Sequence, residues 1–299
     1  MKGRPRVFCI VAARPNFMKV APILRAIEQR GTLEAVLVHT GQHYDAGMSE
    51  VFFADLGIRA PDIHLGIGAG SHAEQTGRVM MAFEQLCLED RPDLVLVVGD
   101  VNATVACSLA AAKLHIPVAH VEAGLRSGDR GMPEEINRIV TDALADLLFT
   151  TEPAANENLA REGVAAGKVH FVGNVMVDSL LASLGRSDPP GAVARILGPD
   201  FAEREFALLT LHRPANVDDP GRLARWVEAF EAVAARIPIV CPLHPRTAGR
   251  LEAAGLRARF EAAVAATGPL GYLEFIGLMQ RARLVITDSG GLQEEATVL

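Results

Sequence analysis

Residues 93–138 read DLVLVVGDVNATVACSLAAAKLHIPVAHVEAGLRSGDRGMPEEINR, and this stretch decides the fold. An apolar run over 94–98 stops at Gly99-Asp100. A run that short, Val-rich and ended by Gly reads as a strand buried on both faces. Residues 106–113 are good helix formers, and 117–121 restart as a second strand. Such a βαβ unit makes its strands parallel, so their carboxyl ends share one rim. Asp100 follows the first strand and Glu122 the second. Ligands of open α/β sheets bind on that rim. Pro133-Glu134-Glu135 opens a further helix, with Pro preset for the first turn and acids favoured by the dipole. The expectation is that Asp100, Glu122 and Glu134 converge with Arg126 and Arg138 on one cleft.

The same alternation runs in both directions from this unit. Residues 6–12 form a first strand, 13–16 a polar turn and 17–30 a helix, placing Arg14 and Lys19 on the rim of Asp100. Single surface cations are usually just solvated. Two within six residues at a helix start are as well explained by an anion site. A strand over 35–40 ends in Gly41-Gln42-His43-Tyr44. The glycines of 66–70 follow no strand and read as a loop, not a dinucleotide fingerprint. Asp188-Pro189-Pro190-Gly191 is the strongest linker signal and divides the chain into domains 1–185 and 186–299. The fold class predicted is α/β, with two doubly wound Rossmann-like domains facing across a cleft.

In the second domain a strand over 206–211 ends in His212-Arg213-Pro214, and one over 239–241 runs toward His244. A helix is expected over about 248–258, another over 272–282, then a strand over 284–286. That last strand feeds Asp288-Ser289-Gly290-Gly291 at a helix start. Glycines let a backbone approach an anion, Ser289 adds a donor, and helix amides complete a phosphate cradle. An ordinary helix cap reads the same serine equally well. Glu295, one turn on, is either a ribose acceptor or a solvated acid. His212 is polar, at a strand end and beside a cation, which favours function over a structural role.

Composition narrows the classes. The chain has 299 residues, net charge −7, and 49% hydrophobic but 5% aromatic content. No basic run offers itself to nucleic acid or an anionic membrane. Cys9, Cys87, Cys107 and Cys241 lie scattered in apolar segments without Cys-x-x-Cys spacing, as buried reduced thiols of a cytoplasmic protein do. A carboxylate cluster can bind metal, but no Asp-x-Asp or His-x-x-x-His spacing is present, so no metal is expected. No nucleophile elbow occurs either.

Residues 13–22 (ARPNFMKVAP), 40–43 (TGQH), 99–100 (GD), 120–129 (HVEAGLRSGD), 133–138 (PEEINR), 211–214 (LHRP) and 287–295 (TDSGGLQEE), in that order, resemble the non-hydrolysing UDP-N-acetylglucosamine 2-epimerases. The resemblance implies the two-domain glycosyltransferase-B architecture, a homodimer, and interconversion of UDP-GlcNAc and UDP-ManNAc with no metal or nicotinamide. It further implies loss of the C2 proton as UDP departs from C1, then re-addition to 2-acetamidoglucal. Carried over by motif, Asp100, Glu122 and Glu134 are the acid/base candidates, and His212 assists. Arg14 and Lys19 would engage the sugar–diphosphate, with Arg138 and Arg213 also on the substrate side. Ser289, Gly290 and Gly291 would cradle phosphate, Glu295 would hold ribose and Phe275 would lie near uracil.

Three departures from that pattern stand out. The first-loop glycine is Ala12 or Ala13, and the acid of the His-Arg-Pro-Glu-Asn block is Ala215. The family also continues past position 299 with a strand, a Thr-Glu-Arg-Pro-Glu block and a helix, so the second domain is expected to be truncated. Gln42 and His43 match part of the region relatives use for activation by a second UDP-GlcNAc, although Tyr44-Asp45 differ. A hydrolysing relative releasing ManNAc, a glycosyltransferase, and a nucleotide-sugar-binding protein without turnover are the competing readings.

Overall fold

The computed structural model describes residues 3–41, 53, 55–201 and 203–299; Gln42, His43, Tyr44 and Asp45 lie outside them. It divides into two compact units, residues 1–179 and 180–299, each built on its own parallel sheet.

The first unit runs β1 (Arg6–Val11), α1 (Arg14–Arg30), β2 (Glu34–His39), β3 (Ile63–His64), α2 (His72–Glu89), β4 (Leu94–Val98), α3 (Asn102–Lys113), β5 (Val118–Ala123), α4 (Pro133–Leu144), β6 (Leu147–Thr150), α5 (Pro153–Arg161) and β7 (Val169–Phe171). Its sheet order is β3-β2-β1-β4-β5-β6-β7. The order reverses between β1 and β4, whose pairing is parallel from Val7 opposite Leu94. A doubly wound sheet opens a crevice at such a point, beyond the strand carboxyl ends. The central strands are apolar throughout because helices cover both faces; Phe8, Val38, Val95 and Val97 pack against Val79 and Phe83 of α2 on one side. Alanines at 103, 106 and 110 let α3 lie close on that layer. All four cysteines are buried, and burial pushes the Cys9, Cys87 and Cys241 thiols up to about 12.

Next to the β1 end, His39 is buried against Phe17, with ring centroids 5.4 Å apart, and its Nδ1 accepts the Gly41 N–H at 2.9 Å. Burial, then the charge of neighbouring His64, lowers its pKa from 6.5 to about 4. Between those values the unfolded chain binds the proton that the folded chain refuses. Stability is therefore lost as pH falls through that window. One such group accounts for roughly 2 kcal/mol between about pH 6.5 and pH 4.5. His39→Asn supplies an amide oxygen for Gly41 but no titration. Its melting temperature is expected to fall less than the wild type's over that range, measured by calorimetry at matched ionic strength.

After α6 (Val175–Leu184), the second unit runs α7 (Pro189–Leu197), β8 (Ala207–Thr210), α8 (Pro214–Val217), α9 (Pro220–Ala234), β9 (Ile239–Pro242), α10 (Pro245–Ala253), α11 (Arg257–Ala263), β10 (Val264–Thr267), α12 (Tyr272–Arg281), β11 (Leu284–Thr287) and α13 (Gly290–Val298). Its sheet order, β10-β9-β8-β11, reverses between β8 and β11.

Two sequence readings are corrected, and one strand is added to them. Asp188-Pro189-Pro190-Gly191 is a helix start: Asp188 caps α7, accepting from Gly191 N at 3.0 Å, with Pro preset in the first turn. The helix expected over 248–258 is two, broken at Gly255 with φ +66°. Strand Val264–Thr267 was not expected at all, because two alanines between Val and Thr carry little strand signal. Its place on the sheet edge comes from pairing with Ile239–Pro242.

Candidate active site

The first unit's site grows from the β1/β4 crevice. Asn16, in the opening turn of α1, accepts from Ala12 N at 3.2 Å and Ala13 N at 3.0 Å, and donates to Val98 O at 3.0 Å. One buried amide thus stitches the first turn to the end of β4. Lys19 lies one turn further along α1, over Gly99. Gly99 has φ +65°, and a Cβ there would come within 3.0 Å of Lys19 Nζ. The left-handed turn favours glycine, and any side chain there would press on the tip of Lys19.

Lys19 pairs with Glu122, and both side chains are largely shielded from solvent. Glu122 itself has φ +72° and sits where the β5–β6 register shifts between Val121 and Ala123. A bulge of this kind re-aims a side chain, and a non-glycine residue in the left-handed region costs about 1–3 kcal/mol. Such strain persists only where the surroundings over-determine it.

The second acid–cation pair joins strand β4's turn to α4. Arg138 donates to Asp100 Oδ2 through Nε at 3.0 Å and Nη2 at 2.7 Å, and through Nη1 to Glu135 at 2.6 Å. Glu135, 2% exposed, also accepts from Ser127 N and Gly128 N at 2.9 and 3.0 Å. Burial pushes its carboxyl up, but those amides and Arg138 outweigh it and hold the group below the usual range. Asn137 donates to Asp100 O at 2.8 Å, fixing the backbone from which the Asp100 side chain projects. Glu134 is half-buried in the first turn of α4 and has no side-chain hydrogen bond or ion pair among the described residues.

The buried residues of α4 are Glu135, Asn137, Thr141 and Asp142, all polar. Buried polar groups cost free energy unless hydrogen-bonded, so a helix with this face is shaped by what it positions. Sequence reading missed Glu135, Asn137 and Asp142. The available signal was the polar character of positions 135, 138 and 142, which share a helix face where packing alone calls for apolar residues.

Arg126 does not join Asp100. Its Nη1 lies 2.8 Å from Asp142 Oδ2, while Nε and Nη2 meet Glu162 at 2.8 and 2.6 Å. Asp142, buried on α4, is its partner there in place of Asp100. Arg14 opens α1; its side chain lies outside the described residues.

In the second unit the rim again forms at the switch point. Thr210 and Thr287 hydroxyls are 2.7 Å apart across β8 and β11. Asp288 accepts from His212 N at 3.0 Å, Arg213 N at 2.8 Å and Asn216 Nδ2 at 3.0 Å, and lies 3.1 Å from His212 Nδ1. Burial pushes Asp288 up, but these donors and the His212 charge bring it below its ordinary value. Asp288 therefore fixes His212 and Arg213, a role the sequence reading did not give it.

His244 packs on His212 at 5.4 Å; burial, then the His212 charge, lowers its pKa. Arg213 Nη2 would be 3.6 Å from a Cβ on Gly290, so the guanidinium stands at the start of α13. Ser289 caps that helix through Leu292 N at 3.5 Å, and Gly291 follows in the first turn. Glu295 is buried and accepts from Tyr272 OH at 2.8 Å. Burial raises its carboxyl, moderated by that hydrogen bond. Phe275 is half-buried on α12.

Chemically, the first rim offers two carboxylates beside two cations. The second offers an imidazole, a guanidinium and a helix N-terminus, groups that take a phosphate-bearing ligand. Among the described residues no group of His, Cys, Asp and Glu side chains is placed to hold a metal ion. No helix among them is long and apolar enough to cross a membrane.

A family model described as UDP-N-acetylglucosamine 2-epimerase matches residues 25–299. A protein of Pseudomonas aeruginosa named UDP-2,3-diacetamido-2,3-dideoxy-D-glucuronate 2-epimerase is 47% identical, over 97% of this chain and 80% of its own length. The UDP-N-acetylglucosamine 2-epimerase of Methanococcus maripaludis is 41% identical, over 98% and 81%. The Methanocaldococcus jannaschii UDP-GlcNAc 2-epimerase, solved in complex with UDP-GlcNAc and UDP, superposes with a TM-score of 0.86 at 39% identity, over 97% of this chain and 80% of that one.

Proposed function

The chain belongs to the UDP-N-acetylglucosamine 2-epimerase family, and from that premise we propose that it inverts C2 of a UDP-2-acetamido sugar, UDP-GlcNAc giving UDP-ManNAc. The observation that carries the reading is the paired rim of the first unit, with Asp100 on Arg138 and Glu122 on Lys19. Acids at the ends of neighbouring parallel strands, each set by a cation, are the parts that proton transfer on a sugar carbon requires.

In the proposed step a carboxylate removes the C2 proton and the electron pair forms the C1=C2 bond. The C1–O bond breaks, and UDP leaves with its charge held by Arg213, His212 and the Ser289-Gly290-Gly291 helix start. UDP then adds back to C1 of 2-acetamidoglucal, and C2 takes a proton on the other face. Lys19 and Arg138 position the acids, Glu134 stands as a third acid/base group, Arg14 engages the diphosphate, Glu295 the ribose and Phe275 the uracil. Preorganised donors at the departing diphosphate supply most of the stabilisation such an elimination needs.

A second substrate is favoured by the Pseudomonas aeruginosa relative, whose name specifies a 2,3-diacetamido uronate carried on UDP. The reaction at C2 is the same. One experiment decides among the readings: incubation with each nucleotide sugar in heavy water, followed by NMR. Deuterium at C2 with the UDP-linked epimer is expected. Free 2-acetamido sugar with UDP establishes hydrolysis, and binding without exchange establishes a protein that holds the nucleotide sugar without turnover.

A further inference from the structure

Behind the rim lies a network that the proposed chemistry does not use. His120 is fully buried on β5, two residues before Glu122. Its Nε2 lies 2.9 Å from Gly99 O, in the turn that carries Asp100, and its Nδ1 lies 2.6 Å from Asp142 Oδ1. A carbonyl can only accept, so Nε2 donates. Burial pushes the Asp142 carboxyl up, but His120 and then Arg126 outweigh this and keep it low. The other oxygen, Oδ2, accepts Gly124 N–H at 3.0 Å and lies against Arg126 Nη1 at 2.8 Å.

One carboxylate on α4 therefore grips both ends of the candidate site. Through His120 it reaches the Gly99–Asp100 turn. Through Gly124 it holds the residue two places past Glu122, closing the bulge that keeps Glu122 left-handed. Arg126, tied in turn to Glu162, balances the buried charge. The network ties the ends of β4 and β5 to α4 and, through Glu162, to the end of α5, in addition to the bonds that Arg138 and Asn137 make to Asp100.

We propose that Asp142 and His120 are positioning residues, which set the distance and direction between Asp100 and Glu122 by bonding the two strand-end turns to one helix. The proposal rests on the epimerase reading for its consequence on rate, but not for the hold itself. Misplacement of a catalytic group by about 1 Å costs on the order of 100-fold in rate. Asp142→Asn keeps the volume and one acceptor but loses the charge that serves His120 and Arg126 together.

The test compares Asp142→Asn, His120→Asn and His120→Gln with wild type on a UDP-2-acetamido sugar. His120→Asn retains the Asp142 contact, and His120→Gln retains the one to Gly99, so the histidine pair stays informative if Asp142→Asn folds poorly. The expected result, per folded molecule by circular dichroism, is a kcat about 10–100-fold lower, with KM and the Kd for UDP within about 3-fold. In parallel, amide hydrogen exchange at residues 122–124 is expected to accelerate at least about 10-fold in Asp142→Asn.

A purely structural role would lower the melting temperature and the folded fraction without moving kcat per folded molecule. Unchanged kcat with unchanged exchange at residues 122–124 overturns the proposal. If wild type turns over neither nucleotide sugar, the functional reading fails, and the exchange measurement alone still decides whether Asp142 holds the bulge.

Discussion

Asp100→Asn is expected to lower C2 proton exchange at least about 1,000-fold while leaving the Kd for UDP within about 3-fold. The substitution is nearly isosteric, and Arg138 can still donate to the amide oxygen and keeps its second partner, Glu135, at 2.6 Å. Asn137 still bonds the residue-100 carbonyl, so the turn stays in place. What disappears is a basic carboxylate on the first unit's rim. The UDP groups assigned to the second unit lie in residues 212–295 and are untouched. Deuterium incorporation by NMR and UDP titration by calorimetry measure the two quantities separately. Exchange at the wild-type rate would remove Asp100 from the chemistry and leave Glu122 or Glu134 as the base.

The largest effect on stability is expected at Gly124→Ala, about 3 kcal/mol or more. Gly124 has φ +78°, and a Cβ there would lie 2.6 Å from the Ala155 carbonyl oxygen and 3.0 Å from its carbon. That neighbour is backbone at the start of α5, so relief requires moving a helix or twisting the turn. Twisting the turn breaks Gly124 N–H from Asp142. In a unit of this size the loss corresponds to a melting temperature lower by on the order of 10 °C. Gly128→Ala is the control: its φ is +73°, but nothing lies within 4 Å of the added Cβ. It carries only the left-handed penalty, about 1 kcal/mol. Equal melting temperatures for the two variants would show that the close approach to Ala155 relaxes freely.

These expectations divide along a line that separates local from non-local information. The strands Leu94–Val98 and Val118–Ala123 were legible in their apolar parts because an apolar run is a property of a few consecutive residues. So were the helix start at Pro133 and the turn before the last helix, and hence the placement of Asp100, His212 and Ser289 just past strand ends; Glu122, expected past its strand, lies within β5. Where one residue type serves two local purposes, the same reading failed. Pro-Pro-Gly marks a linker or a helix start, and only the burial of Ala192 and Val193 against the rest of the second unit selects the helix. Val264–Thr267 is a strand because β9 offers it an edge.

The amino-acid sequence by itself therefore determined two doubly wound units and that Asp100, His212 and Ser289 follow their strands, since parallel βα alternation admits few other outcomes. The tertiary structure alone decided the partnerships. Arg138 reaches Asp100 from 38 residues away, Arg126 is diverted 36 residues onward to Glu162, and Glu122 turns left-handed to meet a lysine on the first helix. Those choices depend on strand order and on which helix face turns inward, quantities set by the packing of the whole unit and carried by no short stretch of chain.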